Sequence, residues 1–416
     1  MIFVFASLAL LSFALMLWQW IVATRFPLHQ RVSDTSFAPP VTLLKPIKGA
    51  DSTTKENLRS WFAQNYSGEA QILFGVAAET DPVCEIVREL QKEFPTSDAQ
   101  LIVCPESPGA NAKVSKLIQL LRAAKHEIIV VSDADVRVPQ DFLANAVAPL
   151  REEGRAGSPL PAAAADDGAH GVTRPTVGLV NCFYRFANPA TLAMQWEAVA
   201  TNADFWSQVL QSRSLKPMDF AMGAVMVTRR KQVQEIGGFE AIVNCLADDY
   251  QLGNRIAKKG YRIELSPVVV ECWDPPKGWR NVWKHQVRWA RTIRVCQPVP
   301  YFFSIVSNVT LWAMVAVCWN TLMNSETAWM NLFAIDFSPF DMWFAVGALA
   351  TRTFLAIDLQ RRLERNWSRA IYFWLVPVKD LLQALVWLLA FAGNKIEWRG
   401  EEYRLRRDGT LGKLNG

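Results

Sequence analysis

The amino-acid sequence predicts an α/β protein in which a parallel, Rossmann-like domain lies between an N-terminal membrane anchor and C-terminal membrane helices. Three observations carry this reading. Strand and helix patterns alternate from Val41 to Val138, which builds a parallel sheet whose loops open on one edge. Ile2 to Ala23 is an apolar run broken only by Ser7, Ser12 and Gln19, close to the ~20 residues that cross a bilayer. Long apolar stretches return after Tyr301.

With 416 residues, the chain has room for a soluble domain of roughly 250 residues and a membrane part. The net charge of +5 comes from scattered Lys and Arg, without a basic stripe interleaved with stacking aromatics, so nucleic acid is not an expected partner. The seven cysteines are widely spaced and lack a Cys-x-x-Cys pair, and the four histidines are dispersed. That pattern points to reduced thiols in a cytosol-facing domain and away from zinc.

The first run could also be a cleaved signal peptide, but no basic segment precedes it and no small-residue cleavage site follows. Arg25, His29 and Arg31 come just after it, which orients the next domain to the cytosol. Val41 to Leu44 reads as the first strand, broken by Lys45, Pro46 and Gly49. A helix follows over Thr53 to Ala63, and Gln71 to Ala78 is the second strand, ending in Glu79, Thr80, Asp81 and Pro82. Val83 to Phe94 is an amphipathic helix, and Leu101 to Val103 a short third strand. The segment Gly109-Ala-Asn-Ala-Lys113 then opens a helix over Leu117 to Ala124. It reads as an anion cradle or as a solvated helix start.

The centre of the pattern is Glu127 to Val138. Ile128 to Val131 reads as a buried parallel strand, ending in Ser132-Asp-Ala-Asp135. Two carboxylates at i, i+2 on such a strand end can face one ion, and hard oxygens suit Mg2+ or Mn2+. A polar turn with an Asx cap is the plainer alternative. Residues 151–175 are rich in Gly, Ala, Pro and Asp and read as a flexible insertion. Strand character resumes at Val177 to Asn181, and Trp196 to Leu215 reads as an aromatic helix of the core or of an acceptor groove. Met218 to Arg230 is an apolar run with Gly223 inside it. Asp248 and Asp249 open a helix to Lys259, where acids favour the dipole. After a strand over Arg262 to Glu271, the helix Trp283 to Arg294 is basic and tryptophan-bearing, as at a membrane interface.

Beyond it, Phe302 to Leu322, Phe340 to Ile357 and Ile371 to Phe391 are candidate spans. The positive loop Gln360 to Arg369 should be cytosolic. A full third span would then put the basic residues after Arg399 outside, and Lys379 and Asp380 suit a lipid-facing helix poorly. A shallow hairpin returning the tail is the alternative. The expected divisions are an anchor at 1–24, a cytosolic domain at 41–294, membrane segments at 301–393 and a basic tail at 394–416, making a multi-pass integral membrane protein.

In their order along the chain, Leu44-Lys-Pro-Ile-Lys-Gly49, Thr80-Asp-Pro82, Gly109-x-Asn-x-Lys113, Ser132-Asp-Ala-Asp135, Asp248-Asp-Tyr250, Arg288-Trp289 and Trp398 to Arg406 resemble the inverting family 2 type of glycosyltransferase, and more closely its ceramide glucosyltransferase branch. The resemblance implies a GT-A fold and a UDP-sugar donor. It implies that Lys45 and Asp81 hold the nucleoside, Lys113 the base or phosphate region, and Asp133 and Asp135 the metal and diphosphate. Asp249 would be the general base, with Arg288 and Trp289 closing the site. Two positions depart from the pattern. His285 replaces the family's Gln or Arg three residues before Arg-Trp, and Ala77 and Ala78 stand where an acid is common.

The function expected from this likeness is transfer of a sugar, most simply glucose, from a UDP-sugar to the hydroxyl of a membrane lipid such as ceramide. N-acetylglucosamine transfer to a hopanoid keeps the chemistry and changes the acceptor. A non-catalytic nucleotide-binding scaffold would lack Asp133 or Asp249, and both are present. A processive polysaccharide synthase would need a longer C-terminal bundle.

Overall fold

The computed structural model describes residues 2–151, 175–324, 339–367, 370–398 and 401–414. The expected insertion at 151–175 therefore lies almost entirely outside the described residues.

The anchor run forms one helix, α1 (Ile2–Arg25). The α/β pattern then begins with β1 (Val41–Pro46), α2 (Thr54–Phe62), β2 (Ala70–Val76), α3 (Val83–Glu93), β3 (Asp98–Val103), α4 (Ala112–Ala123), β4 (Ile128–Ser132), β5 (Val136–Arg137) and α5 (Phe142–Val147). After the insertion come β6 (Val177–Phe186), α6 (Leu192–Val199), α7 (Trp206–Leu215), β7 (Val225–Arg229), α8 (Arg230–Glu235), α9 (Asp248–Lys258), β8 (Arg262–Cys272) and α10 (Trp279–Cys296).

The eight strands form one sheet in the order β3-β2-β1-β4-β7-β6-β8-β5. Strands β1 to β4 are mutually parallel, as the alternation requires. Strand β7 then runs antiparallel to β4 and β6. The chain leaves the centre of the sheet at Ser132 and rejoins its far edge at β5, antiparallel to β8. Asp133 to Asp135 thus make the crossing, at the carboxyl end of the central strand, where ligands of such sheets bind.

Side chains of β1 and β4 alternate between two cores. Leu44, Ile129 and Val131 face one, with α4 and α7 packed over it. Leu43, Ile128 and Val130 face the other, under α2 and α3. Each fully buried side chain of this kind contributes roughly 1.5–3 kcal/mol. The span Trp196 to Leu215, expected as one helix, is α6 and α7 joined by a π-helical segment, Ala200–Phe205.

The remaining helices are α11 (Pro298–Phe303), α12 (Val309–Asn324), α13 (Pro339–Glu364) and α14 (Leu375–Phe391). Among the described residues, Val4–Arg25 and Met342–Glu364 are long and apolar enough to cross a membrane. Pro298–Ser307 with Val309–Trp319, bent by 57°, makes a third span if the pair is taken as one. The expected span at Ile371 to Phe391 is not among them. Its helix is only 17 residues long, and Lys379 and Asp380 within it are buried. They meet Arg352 of α13 and Asp204 of the π-helical segment: Arg352 lies 2.8 Å from each aspartate, and Lys379 pairs with both. Neither charge faces lipid.

The tail is folded. Strands β9 (Lys395–Trp398), β10 (Glu401–Leu405) and β11 (Leu411–Lys413) form an antiparallel sheet. Leu411 N donates to Asn244 O at 2.7 Å and Leu246 N to Gly409 O at 3.2 Å, while Leu405 and Leu411 bury Leu246. The sheet also holds α10, through Lys284 to Glu397, Arg291 to the Lys395 carbonyl and Arg294 to Asn394.

Candidate active site

Asp133 begins where the buried strand β4 ends, and its backbone N–H donates to the Ala224 carbonyl at 3.2 Å. Beneath the turn, Lys45 of β1 donates to Ser132 Oγ at 3.2 Å and to the Asp133 carbonyl at 2.5 Å. Its ammonium lies 5.1 Å from the Trp61 ring centre. Lys45 is completely buried, and burial pushes it down to about 7 against the pull of Asp135 and Asp133. Lys45, the residue that the resemblance assigns to the nucleoside, has its ammonium engaged under the turn. It fixes the direction of Asp133.

Asp135 has its carbonyl bonded by Trp273 N at 3.0 Å. Desolvation, with Asp133 and Asp274 close by, pushes its carboxyl up to about 7. Unbalanced acid of this kind, built from hard oxygens, fits Mg2+ or Mn2+. Among the described residues no three His, Cys, Asp or Glu gather as a metal-binding group. Asp133 and Asp135 are the residues at this strand end that could hold such an ion.

Asn111 caps α4, its side chain accepting from Lys113 N and Val114 N. It also donates to the Cys245 carbonyl at 2.8 Å. The cap aims Lys113 across the cleft, where Nζ lies 2.7 Å from Asp133 Oδ1 and 2.8 Å from Asp248 Oδ2. Burial opposes this charge, but the two carboxylates outweigh it and hold the ammonium well above its ordinary range.

Asp249, one residue on, points elsewhere, because neighbours on a helix diverge by about 100°. Its Oδ1 accepts from Tyr250 N at 2.8 Å. A Cβ built on Gly223 would stand 2.8 Å from its Oδ2, and one on Gly253 only 2.3 Å from Ala221 N. Two missing side chains thus let α9 lie flat on the segment before β7. Tyr250 stacks on Phe220, ring centres 6.5 Å apart, and Met222 N is tied to Asn181 Oδ1 at 3.3 Å. Desolvation and the adjacent Asp248 push Asp249 up to about 6, against the pull of Lys113.

Trp289 packs among Phe186, Phe205 and His285, with His285 at 4.6 Å between ring centres. Arg288 precedes it, half-buried. His285 Nδ1 lies 2.6 Å from Oε1 of the buried Glu197, which also accepts from Gln286 at 2.9 Å. Asp81 stands apart, tying the β1 loop to α3 by accepting from Gly49 N at 2.9 Å and Val83 N at 3.1 Å.

Three residues in the site had no motif to signal them. Glu197 orients His285 from a helix that reads as core. Asp274 adds charge beside Asp135. Tyr184, at the end of β6, stays a neutral phenol, held well above its ordinary range by burial and by acids that include Asp249, Asp133 and Asp135. Strand alternation was the one available signal for it.

A mannosyltransferase from Pyrobaculum calidifontis, solved with GDP-Man and Mn2+, superposes with a TM-score of 0.50 at 21% identity, covering 92% of this chain and 99% of that one. The fold is thus of the GT-A type. Ceramide glucosyltransferase 3 of Caenorhabditis elegans is 24% identical over 393 residues, 93% of this chain and 77% of that protein. The ceramide glucosyltransferase of Candida albicans is 35% identical over 121 residues, 26% of this chain and 22% of its own. The family model described as Glycosyl transferase family 21 matches residues 3–170 and 166–411. Since that match spans nearly the whole sequence, the chain belongs to glycosyl transferase family 21.

Proposed function

We propose that this glycosyltransferase moves glucose from UDP-glucose to the hydroxyl of ceramide, with inversion, at the membrane surface on the cytosolic side. The observation that carries this reading is the division of labour between two adjacent acids. Asp248 is engaged by Lys113, whereas Asp249 turns its carboxylate onto Gly223 and is poised to titrate near neutrality. An acid so placed accepts the proton of an attacking hydroxyl. The likeness to ceramide glucosyltransferases over most of the chain supports the acceptor.

In this mechanism Asp249 takes the acceptor proton as the sugar carbon is attacked and the bond to the diphosphate breaks. Asp133 and Asp135 would hold a divalent ion, which neutralises the departing diphosphate when bound. Lys113 holds Asp133 in place and adds a fixed positive charge beside it. Lys45 supports the turn from below. Trp289, with Arg288, covers the donor and excludes water.

Expression in a host that makes no glycolipids, followed by mass spectrometry of its lipids, tests the reading. Ceramide carrying one hexose is the expected product. A hexosamine on another lipid, such as a hopanoid, would keep the chemistry and replace the substrates, and an unchanged lipid profile with ceramide supplied would refute the proposal.

A further inference from the structure

We propose that α14 does not cross the membrane but lies along its surface on the side of the catalytic domain, and that with α11 it forms an apolar platform seated in the lipid.

The first argument is the course of the chain. Before α14, the end of α13 is fixed to the catalytic domain: Leu359 and Leu363 belong to its core, and Asn202 donates to Glu364 Oε1 at 2.6 Å. After α14, the sheet β9 to β11 is bonded to the loop before Asp248. The helix therefore starts and finishes on the same body.

The second argument is what α14 lies against. Gln383 donates to Gln286 Oε1 at 2.9 Å, Val386 and Ala390 share one buried cluster with Ala290, and Asn394 just beyond accepts from Arg294. The contacts advance in step along both helices, so α14 runs beside α10 over its length. Helix α10 carries Lys284, Arg288, Arg291 and Arg294, and a helix so charged does not enter the hydrocarbon. Its neighbour cannot cross there either.

The third is the outer face of α14. Val378, Leu381, Leu385 and Leu388 are 40%, 37%, 44% and 58% exposed and recur at helical spacing on one side. Lys379 and Asp380 point the other way, into the pairs with Arg352 and Asp204. Phe302 and Phe303 of α11 are exposed as well, and Phe302 lies 6.3 Å between ring centres from Phe391 of α14, itself exposed and one turn on from Leu388. The occupant is the bilayer, because the helix that carries the patch is held beside the apolar helices α12 and α13 on its other face, where the buried Asp380 accepts from Thr310 at 2.5 Å and from Arg352.

A consequence for the substrate rests on the proposed function. Packed helices lie about 8–10 Å apart, so Arg288 and Trp289 sit one helix above the acyl layer. The acceptor that fits is a lipid whose hydroxyl joins its apolar body directly, without a long polar spacer.

The test uses the full chain in phosphatidylcholine nanodiscs, with nitroxide labels at Leu381→Cys, Leu385→Cys and Leu388→Cys in a Cys318→Ser background. Collision with oxygen and with a water-soluble nickel chelate gives the depth of each label. The expected result is three oxygen-rich labels at one shallow depth. A crossing helix would change depth by up to about 1.5 Å per residue, roughly 10 Å across this stretch, and that gradient would overturn the proposal. Labels open to nickel, or shielded from both reagents by protein, would overturn it too. In sealed vesicles, Lys125→Cys and Lys413→Cys should react with an impermeant maleimide from the same side, and opposite sides would refute it. These readings need no turnover, so they stand or fall apart from the acceptor assignment. For the acceptor itself, Leu385→Glu should raise the KM for bilayer lipid severalfold and leave the donor KM unchanged. An unaltered lipid KM would remove the platform from acceptor delivery.

Discussion

The carboxylate of Asp249 rests on the bare α-carbon of Gly223, so closely that one added methyl would stand 2.8 Å from Oδ2. The three atoms nearest to that methyl all belong to the Asp249 side chain, so the acid is what must give way. Gly223→Ala should therefore fold normally and turn the acid out of place. The expected loss of turnover is of order 10²-fold, as for a general base displaced by about an ångström, with donor binding by calorimetry unchanged. Placed on top of Asp249→Asn, the same substitution should cost nothing further. Multiplying losses would mean that Gly223 acts on the rest of the site.

Asp248 and Asp249 should separate cleanly. Asp249→Asn is expected to lower turnover about 10²–10⁴-fold and to leave UDP-sugar affinity nearly intact. Asp248→Asn removes one of two partners of the buried Lys113, which should cost about 2 kcal/mol of stability and much less activity. Steady-state rates beside thermal melts decide this, and an inactive Asp248→Asn with an active Asp249→Asn would reverse the assignment.

Acidity should act on rate and stability with opposite signs. In the fold Asp249 titrates at about 6, above the ordinary value near 4. Turnover should fall as pH drops through about 6, because the base is protonated. Over the same window, from about 6 down to about 4, the folded chain binds this proton more tightly than the unfolded chain, so this group's effect on stability improves. Asp249→Asn should accordingly abolish the acid limb of the rate profile and raise Tm slightly. A limb at the same pH in a residual-activity assay of that variant would assign it to another group.

Removal of divalent ions should abolish turnover, and Mg2+ or Mn2+ should restore it. Asp135→Asn should weaken this response by raising the ion concentration needed. Full activity in excess chelator would mean that Lys113 and the other fixed charges suffice.

The sequence made the parallel half of the sheet legible because its strands are short β-branched runs separated by amphipathic helices. Asp133, Asp135 and Asp249 were legible as acids at the ends of such elements. Other features depend on partners far away in the chain. Lys45 after a strand reads as a loop residue, since lysine is rarely buried, and only the fold brings Ser132 and the Asp133 carbonyl above it. Lys379 and Asp380 read as misfits until Asp204 and Arg352 arrive from other helices. Glu197 has no motif because its function is to hold another side chain. The tail reads as a basic extension because its strands are short and charged, and their apolar residues find a core against Leu246, Ala110 and Val295.

That last contact makes one mechanical unit of two distant parts of the site. The small sheet donates from Leu411 N to Asn244 O and accepts from Leu246 N at Gly409 O, in the loop that leads into Asp248. The same sheet holds Lys284 of α10 through Glu397 and Arg291 through the Lys395 carbonyl. A shift of α10 is therefore passed to the start of α9 without going through the large sheet, so the two acids move with that helix and not with the strands of the parallel half.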